Sequence, residues 1–305
     1  MTSGENAPLF SRVMLWVNER FPLSNAPLFI LVYILTMAVV STVYKDVTIA
    51  HIIIGSLLSF SFFLLLRVLD EHKDYKDDCV QHPERVLQRG IIRLVHLKFI
   101  GLICILIQLG GMVLLAPGLK PMLMSWGLML LWTLLMTKEF FVAEWLKQHF
   151  FLYAFSHTLI MPFVIWWLAT LTFPEITLNT SMVLLMALSF FSGLSFEITR
   201  KCKGPDEDRP DVTTYSQLYG RPLSIVLIIL LLAAMILAQY SLILTARGEI
   251  PFWFYIVSAL INVLTVGQLF RFLLKANKSN RKKNEAMVGL AMLTGYSLCI
   301  AAMYF

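Results

Sequence analysis

The chain has 305 residues, 58% of them hydrophobic and only 14% charged, with a mean hydropathy of +0.74. A soluble domain would carry about 25% charged residues, so this composition excludes an ordinary water-solvated globule. The formal charge of +6 follows from membrane topology, as argued below, and calls for no nucleic-acid partner. Cys79, Cys104, Cys202 and Cys299 show no paired spacing, which argues against a disulfide framework.

In chain order, residues 8–22 (PLFSRVMLWVNERFP) read as a short amphipathic helix on a membrane surface, with no cleavable signal ahead of them. Nine uncharged stretches follow: 27–44, 47–66, 99–119, 121–137, 150–174, 176–196, 222–246, 250–270 and 286–305. Each approaches the roughly 20 apolar residues needed to cross a bilayer, and without water to satisfy the backbone each must be a helix. The expectation is a single polytopic domain over 1–305, with a cytoplasmic amphipathic N-terminus at 1–26 and a nine-helix bundle at 27–305.

Lys and Arg set the orientation. Segments 1–26, 70–94, 138–148, 200–221 and 271–283 hold 20 of the 25 basic residues, whereas the opposite loops keep only Lys45, Lys120 and Arg247. Positive charge gathers on the cytoplasmic side, so the N-terminus is expected inside and Phe305 at the far face. The loops on the charged side are long and those on the other side short, which points to ligand handling at the charged end.

Two acidic clusters interrupt the apolar chain, Asp70-Glu71-His72-Lys73-Asp74-Tyr75-Lys76-Asp77-Asp78 and Asp206-Glu207-Asp208-Arg209-Pro210-Asp211. Four spans separate them, and an even number of crossings returns the chain to the same face. A continuous second helix would put Arg67, Asp70, Asp74 and Asp77 on one stripe. Unpaired Asp70 and Asp74 at i, i+4 would repel, so a cation between them is expected. Mg²⁺ suits this arrangement, taking one or two carboxylates plus phosphate oxygens and keeping several waters. The bland alternative is a solvated charged loop.

Near the second cluster, Arg200, Lys201 and Lys203 could hold phosphate oxygens beside the metal-holding carboxylates. Glu197, at the end of the sixth span, is a candidate because ionisable groups in spans are costly; a simple pairing with Arg200 or Lys201 would also explain it. Lys138, in an amphipathic loop ending at Lys147, could reach a phosphate at the membrane face. His51 and His157 lie inside spans and could line a cavity or bond between helices. The many Met and Phe residues pack helices, face lipid, or line a tunnel for an apolar tail.

The motifs resemble those of the UbiA superfamily of intramembrane prenyltransferases over nearly the whole chain. Asp70-Glu71-His72-Lys73-Asp74 matches the family's first Asp-x-x-x-Asp, and Arg85-Val86-Leu87-Gln88-Arg89-Gly90 resembles its basic turn. Asp206 through Ser216, running on to Gly220, is similar to the second acidic motif. Three positions depart: no Asn precedes the first pair, the second motif is not a regular Asp-x-x-x-Asp, and Asp211 stands where Gly is usual.

The resemblance implies an all-α integral membrane bundle of nine helices around a central cavity; one compact multi-span domain without a targeting extension suits a bacterial inner membrane, and the basic loops put the site toward the cytoplasm. The resemblance also implies a prenyl diphosphate donor, two Mg²⁺ ions and an aromatic or lipophilic acceptor. Asp70 and Asp74 would hold metal on one side as the catalytic pair, and Asp206 and Asp208 on the other. Arg67, Arg85, Lys138, Arg200 and Lys201 would bind diphosphate, with Glu197, Glu207 and Asp77 as further candidates. A terpene cyclase using the same ionisation, a polyprenyl-phosphate phosphoribosyl transferase and a transporter remain as alternatives. Transporters keep polar groups near the bilayer midplane, whereas here the carboxylates crowd one face.

Overall fold

A computed structural model describes residues 7–44, 47–115, 118–209 and 213–305. Asp211, with its neighbours 210 and 212, lies outside the described residues. The helices in order are α1 (Leu9–Arg20), α2 (Ala26–Val40), α3 (Ile49–Lys73), α4 (Tyr75–Gln81), α5 (Leu94–Leu114), α6 (Leu119–Thr137), α7 (Ala143–Gln148), α8 (Phe150–Thr158), α9 (Ile160–Thr172), α10 (Thr180–Arg200), α11 (Tyr215–Tyr219), α12 (Arg221–Arg247), α13 (Phe252–Leu274) and α14 (Lys278–Tyr304). Among the described residues, nine segments are long and apolar enough to cross a membrane. They coincide with the nine expected stretches.

The differences have physical causes. The third and ninth spans start at Leu94 and Lys278, earlier than the apolar runs, because a helix continues through charges such as Lys98 and Arg281 once they lie at its polar end. The fifth span is not one helix. It divides at Leu159 into α8 and α9, and Pro162 explains the break: it has no N–H for the Thr158 carbonyl and its ring crowds that carbonyl. Helix α3 stops at Asp74 and α4 restarts at Tyr75. The expected stripe therefore holds Arg67, Asp70 and Asp74, but Asp77 falls on α4 and is exposed.

The bundle is centred on α2, which touches α3, α9, α10 and α14. Close approach there requires Gly55: a Cβ at that position would sit 2.0 Å from the Tyr33 ring, which is itself fully buried. The Tyr33 hydroxyl meets the Thr172 hydroxyl at 3.3 Å, tying α2 to α9. Around the remaining helices, α10 lies along α12, α3 along α5 and α13 along α14.

The two ends of the bundle differ in kind. At the plain end the connections are short; Tyr44 stacks on Phe173 at 4.7 Å, and Arg247 donates to the Ala302 carbonyl at 2.5 Å. At the other end the loops after the second, fourth and sixth spans carry the short helices α4, α7 and α11. Helix α1 sits there too. It is amphipathic as expected, but one side of it packs on protein: Trp16 is fully buried in a small core with Val68, Leu87, Ile92 and Leu97, while Leu9, Phe10 and Leu15 stay exposed.

Candidate functional site

The end of α3 carries the first acidic cluster in two layers. Glu71 points inward and is 1% exposed, with its Oε1 accepting from Arg20 Nε at 2.7 Å and Arg67 Nε at 3.0 Å. On α4, Asp78 is also buried, accepting from Arg85 at 2.6 Å and lying 3.7 Å from Arg20. Arg67 and Arg85, both expected to bind diphosphate, are thus held by carboxylates that fasten α1, α3 and α4 together. Sequence reasoning missed Glu71 and Asp78; Arg20 on an amphipathic helix was the signal that a carboxylate partner was needed.

Asp70 and Asp74 form the outer layer, one turn apart, with side chains 41% and 45% exposed. Asp70 lies 3.9 Å from Arg67, and Asp74 lies 3.7 Å from Lys73. Neither carboxylate is consumed by a short ion pair. Partial burial pushes the Asp74 carboxyl above its ordinary value; Lys73 opposes this, and the nearby Asp70 and Asp78 charges add to it.

The end of α10 faces this pair. Asp70 is within electrostatic reach of both Arg200 and Glu197. Glu197 accepts from Arg200 at 2.6 Å and lies 2.8 Å from the Lys201 ammonium. The link between the two halves is Tyr153 on α8. Lys73 Nζ donates to its hydroxyl at 2.8 Å from the α3 side, and Lys201 Nζ lies 5.3 Å from its ring centre on the α10 side. Lys201 also lies 5.0 Å from the Phe150 ring, a distance at which a cation is held by an aromatic face. Tyr153 stacks on His157 at 4.1 Å. The His157 Nδ1 proton is donated to the Tyr153 carbonyl at 2.8 Å, which leaves Nε2 as the bare ring nitrogen.

Opposite Tyr153 is a left-handed turn between α6 and α7. Glu139, Phe140 and Phe141 have φ of 48°, 53° and 60°, conformations that L residues seldom adopt. The turn brings Glu139 Oε1 to 3.4 Å from the Tyr153 hydroxyl, which donates to it, and sets the Phe140 ring edge-on to His157 at 5.9 Å. Lys138, expected near a phosphate, is exposed just before this turn.

The second acidic cluster does not turn toward Asp70 and Asp74. Asp206 accepts from the Lys278 backbone N–H at 2.9 Å, at the start of α14, and Glu207 accepts from Arg281 at 2.7 Å. Asp208 is exposed. Of the expected carboxylates, Glu197 is the one the α10 half brings to Asp70. Loops still meet across the mouth, since Arg209 donates to the Gln81 carbonyl at 3.5 Å.

No cluster of three or more His, Cys, Asp or Glu side chains spaced for a metal occurs among the described residues. A preformed protein cage, such as zinc or calcium sites use, does not fit this donor set. Mg²⁺ does, because it needs only one or two carboxylates when phosphate oxygens and water complete its shell. Asp70 and Asp74, exposed and weakly paired, are the residues that would hold it.

Nine apolar helices with charged chemistry gathered at one end define a multi-pass helical membrane protein. No protein-family model matches the chain, and no curated protein matches it. Solved structures do. A UbiA homologue from Aeropyrum pernix K1 superimposes with a TM-score of 0.64 at 16% identity, covering 87% of this chain and 96% of its own. A digeranylgeranylglyceryl phosphate synthase in membranes gives 0.63 at 16% identity, over 96% and 99% of the two chains. A UbiA homologue from Archaeoglobus fulgidus bound to DMAPP and Mg²⁺ gives 0.57 at 11% identity, over 94% and 99%. The fold of this chain is the UbiA fold.

Proposed function

We propose that the protein transfers an isoprenyl group from a prenyl diphosphate to a lipophilic acceptor within the membrane, with Mg²⁺ as cofactor. The observation that carries this reading is that Lys73, which lies between the accessible Asp70 and Asp74 on α3, and Lys201 from α10 in the opposite half of the bundle meet on a common aromatic residue, Tyr153. The fold supports it, because one neighbour of the same fold is bound to DMAPP and Mg²⁺.

Bound Mg²⁺ would neutralise diphosphate oxygens and strengthen that contact as the leaving group gains charge. Asp70 and Asp74 would hold the cation, and Arg200, Lys201 and Lys73 would bind the remaining phosphate oxygens. The carbon–oxygen bond of the donor breaks with its electron pair leaving on the diphosphate, so cations poised there stabilise the transition state. Once phosphate draws the Lys201 ammonium away from the rings of Phe150 and Tyr153, their freed π faces are of the kind that steady an allylic cation. The acceptor forms the new bond and releases a proton. On this reading the site and N-terminus would face the cytoplasm of a bacterial inner membrane, with residues 1–305 acting as one membrane domain; the sorting of basic residues to alternate loops supports that orientation.

The test is incubation of purified protein with labelled C10, C15 and C20 prenyl diphosphates, Mg²⁺ and a lipid extract, followed by mass spectrometry of products. A prenylated lipophilic product is expected, dependent on Mg²⁺. In Asp70→Ala and Asp74→Ala turnover should fall more than about 100-fold, since loss of a direct ligand exceeds the 10- to 100-fold typical of outer-shell partners. Near-normal turnover in both folded variants refutes the metal role. Cyclic hydrocarbon or alcohol formed without the lipid extract would instead make the protein a cyclase.

A further inference from the structure

Away from the Tyr153 cluster, α13 and α14 enclose a groove of about 650 Å³ on the outside of the bundle, lined by Val263, Leu264, Gly267, Gln268, Arg271, Lys283, Ala286 and Met287. Its two kinds of wall are segregated. Arg271 and Lys283 stand at the charged end of the bundle, while Val263, Leu264 and Ala286 extend from them along the spans. From Arg271 back to Val263 is eight residues, about 12 Å of helix. Val263 and Leu264 are among the large apolar side chains most open to the surroundings.

The cations are free for a ligand. Segment 271–285 carries six basic residues and one acid, Glu285. That acid is paired with Arg281, which also holds Glu207. Arg281 and Glu285 face the bundle interior. Lys283 lies two positions from each, roughly 200° around the helix, and so faces outward. Arg271 and Lys283 are exposed, and neither has a carboxylate within ion-pair distance among the described residues.

Gly267 makes the trough. A Cβ built there meets nothing within 4 Å, so the missing side chain leaves open space beside Arg271. An apolar trough opening toward lipid, headed by two unpaired cations at the membrane boundary, has the chemistry of a single amphiphile with a phosphate head and acyl tails. We infer that the α13–α14 groove binds an anionic phospholipid from the surrounding leaflet, its phosphate between Arg271 and Lys283 and one acyl chain over Gly267 toward Val263. Basic pockets between spans on the cytoplasmic side hold anionic headgroups in this way. A soluble protein partner is disfavoured by the apolar wall, which lies at the depth of the hydrocarbon.

The inference is independent of the catalytic reading and is tested without any assay of turnover. Delipidated full-length protein is titrated with phosphatidylglycerol or phosphatidylcholine and the bound lipids are counted by native mass spectrometry. One phosphatidylglycerol should be retained in preference to phosphatidylcholine. R271Q/K283Q should bind it about 30-fold more weakly, from two surface charges of ordinary strength. G267L should also lose it, by filling the trough while keeping both cations, and its unchanged melting temperature would show that the helices still pack. Equal retention of the two lipids overturns the inference, as does wild-type binding in both variants. Displacement of the lipid by millimolar inorganic phosphate alone would show a free-anion site instead and overturn it equally.

Discussion

At the residue scale, the first acidic cluster divides its carboxylates between two tasks. Glu71 and Asp78 are spent on arginines, while Asp70 and Asp74 stay accessible. Glu71 should therefore behave as structure. Glu71→Gln leaves Arg20 and Arg67 without their shared anion, and removing one partner of a buried pair costs about 3–5 kcal/mol. The low end of that range is expected, since both arginines keep some solvent, and denaturant titration in detergent would read it. A change below the error of the titration would show that the pair contributes nothing. Asp74 should behave in the opposite sense. Its carboxyl is raised above the ordinary range, so the fold disfavours its charged form. That cost is present at neutral pH and disappears as the pH falls through the raised value. Without divalent cations, Asp74→Asn should melt higher than the native chain at neutral pH. The difference should close by the ordinary aspartate value of about 3.9. A lower melting temperature for the Asn variant at neutral pH would contradict the assignment.

At the element scale, the informative features are interruptions. Pro162 breaks the fifth span one turn beyond His157, and the short α8 so formed carries Phe150, Tyr153 and His157 to the mouth. The turn after α6 is the second interruption, with three successive residues in left-handed backbone. Strain of that kind persists where surrounding contacts enforce it. Here Glu139 is held at Tyr153 and Phe140 against Trp132 and His157. Phe141 makes no such ring contact among the described residues and is 77% exposed. A left-handed L residue costs about 1–2 kcal/mol, and glycine removes most of this at some entropic expense. Phe141→Gly should thus stabilise the protein by about 0.5–1 kcal/mol, seen as a higher melting temperature in detergent. A decrease would mean the exposed ring supports the turn in some other way.

At the scale of the whole molecule, what was legible in the sequence was what lipid imposes: apolar runs of sufficient length, and basic residues sorted to alternate loops. That Asp70 and Asp74 lie on one face at the end of α3 was legible because their one-turn spacing shows in a sequence. Tyr153 was not, since an aromatic in a Phe-rich span reads as lipid-facing until Lys73 and Lys201 are seen on either side of it. Asp206 misled for a related reason. Acidic residues after a span suggest a ligand site, but a carboxylate also caps a helix start, and the α14 N-terminus claims this one. The global arrangement leads to the last prediction. Nine crossings, an odd number, put the two ends of the described chain on opposite sides, and 20 of 25 basic residues lie in segments on the N-terminal side. Short loops rich in Lys and Arg resist translocation, so the prediction is that the mouth containing Asp70, Tyr153 and Glu197 faces the cytoplasm. A reporter active only in the cytoplasm should work when fused before α1 and fail after Phe305, and a reporter active only outside should do the reverse. Cysteine labelling in sealed vesicles gives an independent reading, because Cys79 is the exposed cysteine and sits on α4 beside the mouth. An impermeant maleimide should modify it in inverted vesicles and not in right-side-out ones. Labelling from the outer side would reverse the predicted orientation.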